Sequence, residues 1–414
     1  MARKPLTGIR IIDCSQIWAG PFATKLMGDM GAEVIKVESA RRFDNTRNYA
    51  GLPSGEPGEH PYNRRALFNI RNRSKLGITL DLTTAKGVEV FKRLVAIADV
   101  VIENFSTRVM PGLGLDYWSL KKVKQDIIMI SLPAFGGTGT EKDYVGQGSN
   151  LTPLSGLVSV TGYPDRGPHG IGSYTDPVGG LSGVGAILAA LHYHRRTGKG
   201  QYIDLAQQEA SIRFIGDAVM DYTMNGRVRG PRGNQHSSMS PHGCYPCKGD
   251  DMWVAIAVGS DEEWGDFCKV AGHLEWSTDP RFCDSISRYN NQDELYPLIA
   301  EWTRDKDHYE VANLLQTAGI AAGPVLQIWE LLEDPHMKER EAISTVTHPE
   351  AGTFPMLGAF WKLGKTPGGI SRPAPCLGEH NAYVYGEILG MPEHEIEALA
   401  SEGVIGTVPA GYDS

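Results

Sequence analysis

Apolar and polar positions alternate in blocks from the beginning of the chain. Ile9–Asp13 is a short apolar run, a helical stretch follows near Phe22–Met30, and a second apolar run occupies Glu33–Val37. After a polar, Pro/Gly-rich loop, Ile78–Leu82 leads into a helix near Thr84–Ala98, with Val88, Phe91, Leu94 and Val95 on one face, and then into Val100–Glu103. A short helix near Tyr117–Val123 precedes Ile127–Ser131. Apolar runs alternating with amphipathic stretches through short connections predict parallel βαβ units and a doubly wound, Rossmann-like α/β sheet. Ligands of such sheets sit beyond the carboxyl ends of the strands, which makes the residues after Asp13, Val37, Glu103 and Ser131 candidates for contact.

Asp176-Pro177 opens another helix, with Val178, Leu181, Val184, Ile187, Leu188 and Leu191 at helical spacing and a stop at Arg195-Arg196-Thr197-Gly198. An acid read as the N-cap, a proline at N1, basic residues in the last turn and a final glycine are the expected punctuation. Gln201–Leu205 reads as a short strand and Gln207–Tyr222 as a helix. From Asn225 to Gly243 the chain is loop-like. The strand Met252–Val258 and helices near Asp261–Gly272, Gln292–Thr303 and Tyr309–Gly319 then suggest a smaller α+β domain. Beyond Pro335 the pattern is irregular up to a last helix near Glu393–Ser401. The expected division is a large domain over 1–224, a small one over 225–335, and a segment over 336–414 that returns to the first.

The 414 residues are ample for two cores, and a formal charge of −9 without a basic tail argues against nucleic acid as a partner. No apolar h-region or spanning stretch is evident, so a membrane role is not expected and the reading is a soluble, cytoplasmic protein. Six cysteines scattered over this length read as reduced thiols. The chain lacks G-x-G-x-x-G after the first strand, a G-x-S-x-G elbow and H-E-x-x-H, which disfavours a nicotinamide cofactor, a serine hydrolase and a zinc protease. Cys244-Tyr-Pro-Cys247 has no second pair at zinc spacing and reads as strand cysteines, so no metal is expected.

Two features remain. Asp176, at a helix start and followed by Gly179-Gly180, is either a cap or a carboxylate nucleophile. Between Arg41 and Lys75, eight basic residues face Asp44, Glu56 and Glu59, a local net of +5, which is either a solvated loop or a site for phosphates.

In order and spacing the chain resembles the class III CoA-transferases, the formyl-CoA transferase family. The matching segments are Ala19-Gly20-Pro21, Gly31-Ala-Glu-Val-Ile-Lys-Val-Glu38, Asn72 to Lys75 with Ile78-Thr-Leu-Asp81, and Val101-Ile-Glu-Asn-Phe105. They continue with Thr175-Asp176, Arg196-Thr-Gly-Lys-Gly-Gln201, Ala321-Ala-Gly-Pro-Val325 and Leu377-Gly-Glu-His380. The resemblance implies an interlocked-ring dimer and an acyl-CoA substrate, with Asp176 as the nucleophile that forms an aspartyl anhydride and then an aspartyl-CoA thioester. It places Gln16, Ile17, Trp18 and Ala19 near the thioester and Asn104, Phe105 and Lys142 on the CoA. Ser39, Arg41, Asn72 and Lys75 fall toward the nucleotide, and Gln147, Ser240 and His242 with Trp18 around the acid.

Arg108 stands four positions before Gly112, where the family usually has an arginine. Trp18 replaces the glutamine of formyl-CoA transferases, and Ser237–Pro241 replaces a glycine run. These departures point away from oxalate toward a bulkier or aromatic acid of the benzylsuccinate kind, with succinyl-CoA as donor. The alternatives are an α-methylacyl-CoA racemase, whose second base would have to be Gln147, and a partner subunit in a hetero-oligomeric transferase.

Overall fold

The structure, a computed structural model, describes residues 3–48 and 58–411; the part of the polar loop at 49–57 lies outside them. The chain divides into two compact units, one of residues 1–158, 170–224 and 341–414, the other of 159–169 and 225–340. No helix among the described residues is long and apolar enough to cross a membrane.

The first unit runs β1 (Arg10–Asp13), α1 (Ala19–Asp29), β2 (Glu33–Glu38), α2 (Ala66–Asn72), β3 (Lys75–Thr79), α3 (Ala85–Ala96), β4 (Val100–Glu103), α4 (Val109–Gly112), α5 (Tyr117–Val123) and β5 (Ile128–Ser131). It continues with α6 (Gly148–Leu154), α7 (Thr175–Thr197), β6 (Tyr202–Asp204), α8 (Gln207–Ile212) and α9 (Gly216–Asn225). The six strands form one parallel sheet in the order β3-β2-β1-β4-β5-β6. Its strand order reverses between β1 and β4, where a doubly wound sheet opens a crevice for ligands.

Alternating strand residues feed two cores. Ile12, Ile35, Ile78 and Val101 pack with α3, α5 and the C-terminal Val384 and Tyr385. Ile11, Val34, Val100 and Ile130 pack with α1 and α7 on the other face. Local signals fix the helix starts: Thr84 caps α3 by accepting from the Gly87 N–H, and Asp116 caps α5 by accepting from Trp118 and Ser119. Helices α1 and α7 approach at backbone distance. A Cβ on Gly180 would lie 2.6 Å from the Ala19 carbonyl oxygen, and one on Gly20 would lie 2.2 Å from the Ser15 Cβ. Helix and loop packing therefore explains these two glycines.

The second unit holds β7 (His242–Pro246), β8 (Trp253–Ala257), α10 (Asp261–Ala271), α11 (Ser285–Asn290), α12 (Gln292–Arg304), α13 (His308–Thr317), β9 (Ala321–Val325), α14 (Ile328–Glu333) and α15 (Pro335–Glu339). Its antiparallel sheet, β7-β8-β9, carries a core of Val254, Ile256, Trp264, Phe267 and Ile299. The chain then forms a hairpin, β10 (Ile343–His348) and β11 (Gly352–Leu357), and ends with α16 (Glu393–Ser401) in the first unit.

Three elements differ from their sequence reading. Strand β3 starts at Lys75, three residues before the apolar run, because a buried ion pair lets a lysine enter the sheet. The region beyond Pro335 contains a hairpin rather than irregular chain. The helix expected over Gln207–Tyr222 is broken by a 3-10 turn at Arg213–Ile215, and no residue of α9 is buried.

Candidate active site

The crevice floor is built from charge. At the end of β1, Asp13 is fully buried and accepts hydrogen bonds from Lys75 Nζ at 2.9 Å, from Thr24 at 2.6 Å and from the Ser15 N–H at 2.9 Å. Burial acts to raise its pKa, but the charges of Lys75 and Lys36 outweigh that and hold it at about 2. Lys36, at the same level of β2, donates to the Ser15 carbonyl at 2.7 Å and pairs with Asp44 at 3.0 Å. Asp44 in turn accepts the Ile17 N–H at 3.2 Å. The loop after β1 is thus held from below, and across the crevice Asn104 closes a two-way bond with Gln16, accepting its N–H at 2.7 Å and donating to its carbonyl at 2.8 Å. Ile17 adopts φ +68°, which a β-branched residue resists. Its N–H bond to Asp44 and the 3.1 Å bond from Arg71 to its carbonyl hold it there.

Asp176 is the second residue of α7 and only 9% exposed. It is not the N-cap, a position taken by Tyr174 without a side-chain bond. Its carboxylate lies against the backbone of Gly148 at the start of α6, where a Cβ would sit 2.0 Å from Oδ2. Burial pushes its pKa up to about 6, partly offset by the positive charge of Arg71. The Arg71 guanidinium, carried by the last turn of α2, lies over the Trp18 ring, 4.0 Å from its centroid. At the end of β4, Glu103 is also buried and pushed up to about 7 by desolvation, and it accepts the Phe105 N–H at 2.7 Å.

Of these groups, Ile17, Trp18, Arg71, Asn104, Phe105, Gly148 and Asp176 line a cavity of about 320 Å³, within the range of small-molecule sites. Of the residues expected from sequence, Asp176, Ile17, Trp18, Asn104, Phe105, Lys142 and Gln147 line it together. Gln16 stands behind the wall, bonded to Asn104, and Ala19 is fully buried at the start of α1.

Asn72 and Lys75, expected toward the nucleotide, are buried and do not line this cavity. All three Lys75 hydrogens are taken, by Asp13, the Pro21 carbonyl and Asn72 Oδ1. Of the eight basic residues between Arg41 and Lys75, Arg47, Arg71, Arg73 and Lys75 are buried, with Arg47 on Glu38 and Arg73 on Asp29, both at 2.8 Å. Ser39 and Arg41 lie outside the cavity, Arg41 pointing at Asp81 at 3.7 Å. Arg108 is exposed beside Asp143 at 3.8 Å. Ser240 and His242 belong to the second unit, where Ser240 donates to the Arg288 carbonyl and His242 Nδ1 bonds the Asn234 carbonyl. Among the described residues no group of His, Cys, Asp and Glu is placed to hold a metal ion.

The lining residues not expected from sequence include Arg71 and Gly148. Arg71 was visible only as one member of the basic run. Gly148 carried no local signal, because its role is to leave room for a side chain 28 positions further on.

With this geometry in place, the sequence and the fold were compared with known proteins. The profile of CoA-transferase family III matches residues 6–381. The chain is 33% identical over 404 residues to a succinyl-CoA–D-citramalate CoA-transferase of Chloroflexus aurantiacus, covering 97% of this chain and 98% of the relative. It is 33% identical over 387 residues to a succinate–glutarate CoA-transferase of Agrobacterium fabrum, covering 93% and 96%. The fold is similar to that of a CAIB/BAIF family protein from Brucella suis, with TM-score 0.84, 32% identity and 93% and 100% of the two chains covered.

Proposed function

The chain belongs to CoA-transferase family III and is a CoA-transferase, and we propose that it moves CoA from succinyl-CoA to a second carboxylic acid through covalent intermediates on Asp176. The observation that carries this reading is a buried carboxylate in the lining of a cavity, pressed against Gly148 and sharing that lining with Trp18 and Asn104. Ionised, Asp176 attacks the thioester carbonyl; the C–S bond breaks, and a mixed anhydride and CoA thiolate result. The thiolate attacks the aspartyl carbonyl of the anhydride, releasing succinate and leaving an aspartyl-CoA thioester. The acceptor carboxylate attacks that thioester, the thiolate leaves again, and its attack on the acceptor's acyl carbonyl gives the new acyl-CoA and free Asp176. Both intermediates hydrolyse in water, which suits a site with 9% of Asp176 exposed.

The two relatives are named for acids with two carboxylates, citramalate and glutarate, and the acceptor we propose is of that class, with the aromatic benzylsuccinate type included. Asn104, Phe105 and Lys142 would meet the CoA. The functional form we propose is an interlocked dimer with a second copy or a homologous subunit, in the cytoplasm. Helix α9 supports it by leaving Val219, Met220, Tyr222 and Met224 45–73% exposed in the single chain.

The test is Asp176→Ala, which should abolish CoA exchange while the protein still folds. Hydroxylamine added after succinyl-CoA alone should convert Asp176 to a hydroxamate. An unmodified Asp176 together with deuterium washing into the α-position would favour the racemase instead, for which Gln147 supplies no base.

A further inference from the structure

We propose that Arg71 is the specificity-determining residue of this site, receiving the second carboxylate of a dicarboxylic acid whose first carboxylate reacts at Asp176. The inference rests on the assignment of CoA transfer to Asp176.

An acid with two carboxylates brings one group that reacts and one that does not. The second must leave water when it enters the cavity, and a desolvated carboxylate without a partner is costly enough to exclude the molecule. Among the described lining residues, the charged ones are Asp176, Arg71 and Lys142. Lys142 is exposed at the mouth, beside Thr107, which bonds its carbonyl. Arg71 is 8% exposed and close enough for its charge to act on the Asp176 carboxylate. It is the buried cation of the cavity.

Its geometry is fixed in advance. The guanidinium lies over the Trp18 ring, its carbon 4.0 Å from the ring centroid, and Nη1 donates to the Ile17 carbonyl at 3.1 Å. Ile17 is itself anchored through Asp44 and Lys36 to the buried floor. A planar fork held in this way suits a carboxylate better than a lysine ammonium does, and little side-chain entropy remains to be lost on binding. Trp18 then has a purpose beyond bulk: it is the platform on which the recognising group lies.

The test compares glutarate with pentanoate, acids of the same chain length with two carboxylates and one, using the full-length protein and succinyl-CoA as common donor. The quantity read is the ratio of kcat/KM for the two acids. It is taken within one preparation, so the folded fraction and the donor step cancel. Wild type should favour glutarate strongly. Arg71→Met should lower the ratio by at least ~100-fold, toward unity, with pentanoate little changed, and Arg71→Lys should fall between the two. Inhibition of succinyl-CoA exchange with labelled succinate by each acid reads the binding part of that discrimination when monoacid turnover is slow. An equal loss for both acids in Arg71→Met would assign Arg71 to CoA or to loop support and overturn the proposal, as would a wild type indifferent to the second carboxylate. Failure of the underlying reading looks different: Asp176→Ala would retain exchange, or wild type would move CoA to neither acid.

Discussion

Replacing Asp176 with asparagine should remove the activity and at the same time make the protein more stable. Burial raises the carboxyl pKa from 3.8 to about 6. At pH 8 the native state therefore holds an ionised group that would be more comfortable in water. A shift of about two units, at about 1.4 kcal/mol each, corresponds to roughly 3 kcal/mol of native-state cost. The folded pKa lies above the unfolded one, so this cost is absent below the unfolded pKa near 4, grows between 4 and 6, and is constant above 6. Asparagine has nearly the same shape and never ionises. Asp176→Asn should thus match wild type in thermal melts at pH 4 and exceed it by about 3 °C at pH 8, since about 1 °C per kcal/mol follows from the unfolding entropy of a chain this long. Circular dichroism melts of both proteins from pH 4 to 8 provide the comparison. An asparagine variant no more stable at pH 8, or equally stabilised at every pH, would show that the native state does not carry a buried charge at this position.

Four further outcomes follow. Because the attacking form of Asp176 is the carboxylate, kcat/KM should climb about tenfold per pH unit below about 6 and level off above it; Arg71→Met should move that midpoint upward, and a flat profile from pH 5 to 8 would contradict the nucleophile assignment. Gly148→Ala places a methyl 2.0 Å from the Asp176 carboxylate and 2.5 Å from Ser173 Cβ, so it should lower kcat by ~100-fold or more with near-normal melting. Gly265→Ala, where a Cβ meets nothing within 4 Å, should be slightly stabilising and leave activity alone. Lys75→Met strands the Asp13 charge and should cost about 3–5 kcal/mol in urea unfolding, whereas Lys86→Met at an exposed pair should cost less than about 1; a loss of CoA affinity with unchanged stability would restore Lys75 to the nucleotide.

The sheet was legible because each strand end coincides with a change of pattern. Val100–Glu103, Tyr117–Val123 and Glu393–Ser401 fall where their periodicity puts them, and Thr84 and Asp116 announce their helices. Reading failed where charge entered the interior. Lys75 opens a strand and Arg47 and Arg73 close ion pairs across 9 and 44 residues, contacts with no local signature. The candidate site shows the same split. Trp18, Asn104 and Asp176 lie beside chain landmarks, the strand ends and a helix start, and were visible. Arg71 and Gly148 matter only because α2 and α6 bring them to Trp18 and Asp176 in space.

The charged floor beneath the cavity also determines which sequences are reachable from this one. A single replacement at Asp13, Lys36, Asp44 or Lys75 leaves an uncompensated buried charge, so these positions can change only in concert. Lys142, Gln147 and Ser149 stand at the exposed rim and carry no such constraint. A lineage can therefore vary the rim one residue at a time, while the ion pairs behind the cavity can be rebuilt only by paired replacements.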